Sequence, residues 1–185
     1  MNLDDPRAQR SRARLRTTIL ELAAVKDPAE ITMSEVAKHA DVNRATVYQH
    51  FPDVDALVTD AMEEAVTHVA RAAALCPLDA PRNEVPQPLN DVFQHVTDNA
   101  ALYRRMLGPQ GSALFVARLR ERLTMELVTS FREGRRPAGF DDVPDAVHAA
   151  YLAGALIGVI ATWVTEDTPV SAPTAALAFW RLFQH

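Results

Sequence analysis

Apolar residues recur every three or four positions along most of this chain of 185 residues, which is the period of an amphipathic α-helix. The first such segment spans residues 10–25 and ends at Lys-Asp-Pro, positions 26–28. Leu15, Ile19 and Leu22 form its inward face. No segment alternates between apolar and polar residues as a half-buried strand does. The pattern predicts an all-α fold.

Two short helices joined by a tight turn are predicted next along the chain. Thr32 and Glu35 fit a capping box, and Ile31 and Val36 fit the hydrophobic staple around it. We therefore expect the first helix of the pair to begin at Met33.

The second helix of this pair has two unlike faces. Asp41 and Asn43 favour a turn, and Asn43 is also a good N-cap. The helix ends by Phe51, because Pro52 disfavours helical backbone in the residue before it. Val47 and Phe51 face inward, and the remaining positions present a polar and aromatic front. This front is made of Arg44, Ala45, Thr46, Tyr48 and Gln49. Insertion into the major groove of DNA requires such an arrangement.

A body of longer helices follows. Asp53 is expected to cap a long fourth helix with an apolar stripe, and four prolines then make residues 76–88 a loop. Helices with one buried face are predicted over residues 89–107 and 115–131. Pro144 suits the first turn of the helix after them.

Residues 146–165 include no Asp, Glu, Lys or Arg. Such a segment is long enough to cross a membrane, but its flanks are acidic and lack basic anchors. In a soluble protein it would be buried on all sides, either inside a monomer or between two copies of the chain. We favour the homodimer, because glycines four residues apart let helices approach closely. The expected interface comprises Gly154, Gly158, Trp163, Phe179, Trp180 and Phe183.

The run from Ala40 to Phe51, Ala-Asp-Val-Asn-Arg-Ala-Thr-Val-Tyr-Gln-His-Phe, resembles the recognition-helix signature of the TetR family of bacterial transcriptional regulators. The resemblance implies an N-terminal three-helix unit that binds operator DNA. It also implies a helical body that binds a small molecule and forms a homodimer through its last two helices. We accordingly expect a helix-turn-helix domain at residues 1–52 and an effector-binding and dimerisation domain at 53–185.

Two features depart from the family's pattern. Asp41 stands where the family usually has Gly in the turn, so we expect Asp41 to adopt the left-handed conformation. Pro52 and Val54 stand where basic residues often touch phosphate, and one expected phosphate anchor is therefore missing.

Residues of the expected DNA interface have different roles. Arg44 is best suited to identify a base, because its guanidinium matches guanine O6 and N7, and Ala45 and Thr46 can touch a thymine methyl. Tyr48 and His50 are expected to bind phosphate, as the resembled family uses the matching positions. A solvated surface side chain is the alternative for each. The candidates are Thr32, Ser34, Asn43, Arg44, Ala45, Thr46, Tyr48, Gln49 and His50.

Charge is distributed unevenly along the chain. The net charge is −5, yet residues 1–50 hold 8 Arg or Lys against 7 Asp or Glu, while the remainder holds 11 against 17. Basic side chains near the N-terminus could follow phosphates or form a solvated helix face. They are Arg7, Arg10, Arg12, Arg14 and Arg16. The lone Cys76 and the absence of a signal-peptide pattern predict a cytoplasmic protein.

Catalytic and metal-binding motifs are missing from the sequence, so we expect no catalytic residue, no metal and no cofactor. Aromatic and sulfur side chains of the body, with two histidines as polar groups, could line a ligand cavity. Ordinary core packing is the alternative for each. These candidates are Met62, Phe93, His95, Tyr103, Met106, Phe115, Met125, His148 and Tyr151.

The sequence as a whole predicts a dimeric repressor that a small-molecule effector releases from a palindromic double-stranded DNA operator, with no membrane association. Two alternatives remain. The helix-turn-helix could dock on a protein partner, or the chain could be a helical ligand carrier or enzyme.

Overall fold

The computed structural model describes residues 6–167 and 169–183. Over these ranges the chain forms α-helices and one 3₁₀ turn (Pro28–Glu30) but no strand, which confirms the all-α prediction. The helices are α1 (Pro6–Val25), α2 (Met33–Ala40), α3 (Arg44–His50), α4 (Val54–Ala61), α5 (Glu63–Ala74), α6 (Gln87–Asp98), α7 (Ala100–Leu107), α8 (Ala113–Arg132), α9 (Asp145–Thr165) and α10 (Ala172–Phe183).

Helices α1 to α3 form the head of the molecule. α1 begins at Pro6, earlier than the predicted Arg10, and buries Leu15 and Ile19 as expected. α2 begins at Met33, and its N-cap is Thr32. The head therefore follows the local signals of its sequence closely.

Two helices that were predicted to be continuous are each divided. Met62 (φ −87°, ψ 2°) separates α4 from α5, and Asn99 (φ −119°, ψ 24°) separates α6 from α7. The spacing of apolar residues continues across both interruptions, because the helices on either side pack on the same core. A burial pattern therefore does not reveal a short interruption in a helix.

One hydrophobic cluster extends through the head and the body. It includes Leu15 and Val47 of the head, Leu57 of α4, and Phe93 and Trp180 of the body. A smaller cluster lies beside it, and α8, which contributes to both, packs mainly against α5 and α9. The smaller cluster comprises Leu127, Phe131, Ala149 and Leu152.

α9 is the one described helix that is long and apolar enough to cross a membrane, and 50% of its apolar window is buried inside the subunit. Pro144 stands at its N-cap and not in its first turn. α9 therefore serves as a core helix that keeps one face exposed.

Candidate nucleic-acid interface

The start of α2 is fixed by a capping box. The Thr32 hydroxyl accepts a hydrogen bond from the Glu35 N–H at 3.2 Å, and the Glu35 carboxylate accepts one from the Thr32 N–H at 3.5 Å. Lys26 Nζ lies 3.0 Å from the same carboxylate. The Lys26 hydrogen bond is the main cause that lowers the pKa of Glu35, so this carboxylate stays ionised and keeps its partners.

The turn between α2 and α3 sets the orientation of α3. Asp41 has φ 51° and ψ 48°, which confirms the left-handed conformation expected where the resembled family usually has Gly. Arg14 Nη2 lies 3.2 Å from its carboxylate. Asn43 Oδ1 accepts a hydrogen bond from the Ala45 N–H at 2.8 Å, so the predicted N-cap of α3 is also confirmed.

The two faces of α3 differ as the sequence predicts. Val47 is fully buried, and Phe51 just after the helix is 4% exposed. Arg44 and Tyr48 are exposed, and the Arg44 guanidinium lies 5.6 Å from the centre of the Tyr48 ring. This cation–π contact holds the guanidinium along the front of the helix. The front exposes Arg44, Ala45, Tyr48 and Gln49, with Thr46 partly buried.

His50 points partly into the head. Its Nε2 atom is buried and has no hydrogen-bond partner among the described residues. Burial, and then the charge of Arg12, lower the pKa of the imidazole. A neutral ring with one buried nitrogen can offer phosphate only its other nitrogen. Thr32, Ser34 and Asn43, by contrast, are exposed.

Several N-terminal arginines pair within the protein. Arg12 hydrogen-bonds to Asp60 of α4, and Arg16 Nε lies 3.7 Å from the same carboxylate. Partly exposed pairs of this kind stabilise little. They do direct both guanidinium groups towards α4, so these two arginines are less available to phosphate than the sequence indicates.

Side-chain hydrogen bonds also join α7 and α8 to α1 and α4. Arg105 Nη1 on α7 donates to the carbonyl of Ala24, in the last turn of α1, at 2.6 Å. Ser112 caps α8 by accepting the Phe115 N–H at 2.9 Å, and its hydroxyl donates to Asp55 in the first turn of α4. A shift of α7 or α8 would therefore act directly on α1 and α4.

The exposed face of α9 consists of small and apolar residues. Gly154 and Gly158 are exposed, and a Cβ atom built at either would meet no atom within 4 Å. Val147 and Tyr151, 58% and 68% exposed, lie on the same stripe. This face is largely apolar, and no residue of the part that the structure describes lies within 4 Å of a Cβ atom built at either glycine.

The aromatic residues expected beside these glycines lie elsewhere. Trp163 and Trp180 are 8% and 1% exposed, and their indole N–H groups donate to the carbonyls of Val170 at 2.8 Å and Pro81 at 3.0 Å. Both tryptophans thus belong to the subunit's own core, which corrects the expectation that they form the interface surface. Phe179 is partly buried, and the Phe183 side chain lies outside the part of the chain that the structure describes.

Most of the residues predicted to line a ligand cavity are buried core residues. The Tyr103 hydroxyl and His95 Nε2 are buried without hydrogen-bond partners among the described residues. Burial raises the pKa of Tyr103 and lowers that of His95, so both are neutral. Met62, Phe93, Met106, Phe115 and His148 are also buried.

Met125 and Tyr151 are 50% and 68% exposed, which corrects their expected interior position. Met125 lies two residues from the buried Leu123 and Leu127, and two residues along a helix lead to the opposite face. Tyr151 stands in the same relation to Ala149 and Ala153.

The body contains an apolar pocket of about 40 Å³ that the sequence did not predict. None of the nine predicted ligand residues lines it. Leucine and alanine on inward helix faces carry no chemical signal, and only the tertiary arrangement leaves space between them. The pocket is lined by Ala73, Cys76, Leu78, Leu89, Leu123, Leu127, Leu152, Ala153, Leu156, Phe179 and Trp180. No group of His, Cys, Asp or Glu suited to a metal occurs among the described residues.

Two models of protein families match parts of this chain. Residues 15–61 match "Bacterial regulatory proteins, tetR family", and residues 83–184 match "Transcriptional regulator C-terminal region". The first runs from the middle of α1 to the end of α4, and the second covers most of the body. No protein of curated function matches the sequence.

Solved structures with this fold cover almost the whole chain. A TetR transcriptional regulator from Streptococcus agalactiae is 17% identical with a TM-score of 0.70, covering 99% of this chain and 98% of its own. A TetR-family transcriptional regulator from Syntrophomonas wolfei is 14% identical with a TM-score of 0.71, covering 95% and 94%. The fatty acid degradation regulator FadR from Bacillus halodurans is 16% identical with a TM-score of 0.63, covering 94% of each chain.

Proposed function

This chain belongs to the TetR family of bacterial regulatory proteins, whose members are DNA-binding transcriptional regulators, and on that premise we propose that it is a repressor released from its operator by a small molecule. The observation that carries the proposal is the α3 helix, with a buried back and an exposed front of Arg44, Tyr48 and Gln49. The head comprises residues 1–52, and the effector-binding and dimerisation body comprises residues 53–185.

We propose that α3 enters the major groove. Arg44 identifies a guanine through O6 and N7, while Tyr48 beside it binds phosphate and sets the register of the helix. The exposed start of α2, with Thr32 and Ser34, offers backbone N–H groups and hydroxyls to a second phosphate. The remaining DNA-binding candidates make further contacts at the edge of this interface. They are Asn43, Ala45, Thr46, Gln49 and His50.

We propose a homodimer built on the exposed face of α9. Two copies of Gly154 and Gly158 would let the helices approach closely, because these positions have open space in the single subunit. A two-fold dimer presents two α3 helices to successive major grooves about 34–36 Å apart. A palindromic operator matches that symmetry.

We propose that release works through α4. An effector that moves the body helices would act on Asp55 through Ser112 and on the end of α1 through Arg105. A small tilt of each head then places the two α3 helices out of register with the grooves. Such a protein works where its operator is, in the cytoplasm, and proteins of this family are generally not enzymes.

Reciprocal binding measurements test this function. Operator affinity is measured with and without a saturating ligand shown to occupy the body, and ligand affinity with and without operator. Linkage requires equal factors in the two directions, and coupling of this kind is typically about 1–3 kcal/mol. Unchanged affinities in both comparisons would contradict effector control. If the protein bound no DNA even at low salt, the proposal that it acts as a DNA-binding regulator would be contradicted.

A further inference from the structure

The apolar pocket of the body indicates the chemistry of its ligand, and the inference rests on the proposed effector function. We infer that the pocket binds a compact, uncharged hydrocarbon group that enters beneath the loop of residues 76–86. The pocket lies where the two hydrophobic clusters meet, because Leu127 and Leu152 of the smaller cluster line it together with residues of the larger one.

The lining offers a ligand no charge and almost no hydrogen bond. All eleven lining residues are apolar, Trp or Cys, and six of them are leucines. The Trp180 indole N–H is already bonded to the Pro81 carbonyl at 3.0 Å. Burial raises the pKa of the Cys76 thiol to about 12, so that thiol stays neutral. A polar or charged ligand would lose its hydration here without replacement.

The loop of residues 76–86 covers the pocket. Cys76 and Leu78 of the loop line it, and the loop is held to α10 by the Trp180 hydrogen bond and by Arg181 Nη2, 3.3 Å from Asn83 Oδ1. Loops open more easily than packed helices do. Movement of this segment would expose the pocket without unfolding any described helix.

Because the pocket is small, a ligand that enters it must change the structure of the body. About 40 Å³ is enough for water-sized groups but well below the roughly 150 Å³ of a cavity that holds benzene. A hydrocarbon of that size fits only if the lining residues move apart, so it favours an expanded state. Ala73 of α5 lines the pocket, and α5 continues through Met62 into α4. Expansion is thereby connected to the head.

Binding of benzene to the full-length protein without DNA tests the inference. Pyridine has nearly the same shape but carries a polar nitrogen, so it is the matched control. In a Trp163→Phe variant, Trp180 is the remaining tryptophan, and its fluorescence reports on the pocket while calorimetry measures affinity. We expect benzene to bind at least tenfold more tightly than pyridine and to change the Trp180 emission. Equal or reversed affinities would overturn the inference.

Two substitutions locate the binding. Ala153→Leu fills the pocket and should weaken benzene binding at least tenfold, whereas Ala117→Leu adds the same bulk at an exposed position of α8, outside the lining, and should not. Leu127→Ala enlarges the pocket and should tighten benzene severalfold. Circular dichroism identifies any variant that fails to fold. Unchanged affinity in the folded Leu127→Ala variant would overturn the assignment. None of these measurements contains operator, so their outcome is independent of whether the ligand releases DNA.

Discussion

Helices α3 and α9 each leave one face exposed, and the two faces have opposite chemistry. α3 presents a guanidinium, a phenol and an amide over a buried valine, whereas α9 presents glycine, alanine and apolar side chains over a fully packed back. Polar groups aimed outward retain their hydration and suit a wet, charged partner such as DNA. A flat face of small residues gains only by excluding water from another apolar surface.

The two regions also differ in how their helices are fixed. α2 and α3 of the head each begin at a side chain that accepts a hydrogen bond from the following backbone, namely Thr32 and Asn43. In the body, α4 and α8 have such a cap at Asp53 and Ser112, whereas α6 and α9 begin after Pro86 and Pro144 without one. Local bonds therefore fix both short helices of the head, while several helices of the body depend on packing between distant segments.

The largest effect is expected from a substitution on the exposed face of α9. Gly158→Leu should abolish the dimer and with it operator binding, because the added side chain occupies the space that a second copy needs. The single subunit should stay folded and gain about 0.5–1 kcal/mol from the removal of a mid-helix glycine. Analytical ultracentrifugation measures the loss of the dimer, and thermal unfolding measures the stability of the single subunit. Ala117→Leu, on an exposed position of α8, is the control. A wild-type chain that sediments as a monomer at micromolar concentration would contradict the α9 interface.

A smaller effect is expected on the α3 face. Arg44→Ala should cost about 1–3 kcal/mol of operator binding and relax the preference at one position of each half-site. Tyr48→Phe should weaken binding to all DNA sequences by the same factor. Binding to operator and to random DNA separates these outcomes. If Arg44→Ala lowered both affinities equally, Arg44 would be a phosphate contact and not a base reader.

A cap substitution sharpens the contrast between local and tertiary control. Asp53 Oδ1 accepts the Ala56 N–H at 2.8 Å at the start of α4, so Asp53→Ala should lower the free energy of unfolding by about 0.5–2 kcal/mol. Asp53→Ser retains a hydrogen-bond acceptor and should keep most of this free energy. Urea denaturation measures the free energy of unfolding of both variants. Equal losses in the two variants would show that the carboxylate acts by some means other than capping.

The smallest effect is expected from pH. The pKa of His95 and the pKa of His148 are lowered, mainly by burial. The unfolded chain therefore binds more protons than the folded chain below about pH 6.5, and stability should fall as the pH drops through that range. Arg136 Nε donates to His148 Nδ1 at 3.4 Å, a bond that protonation would remove. Melting temperature recorded from pH 7.5 to pH 5.5 should decline less in His148→Gln than in the wild type.

Much of the head could be predicted from the sequence because its signals act within four residues. The capping box at Thr32, the left-handed Asp41, the cap at Asn43 and the inward Val47 all follow from side chains bonding to nearby backbone, and all are confirmed. Short-range hydrogen bonds do not depend on how the rest of the chain packs. The roles of the exposed α3 residues towards DNA remain predictions.

The body was predictable in its helices but not in what its side chains do. Periodicity identified buried faces but could not show that Trp163 and Trp180 fill the subunit's own core or that Tyr151 is exposed. It could not locate a pocket among leucines and alanines. Those outcomes depend on which distant segments meet and how well their volumes fit. The sequence by itself determined where α2 and α3 begin and turn and which face most helices bury. Only the tertiary structure decided where the longer helices are interrupted, which apolar residues stay exposed and where space remains. The physical reason is that packing is a property of pairs of surfaces and not of one helix.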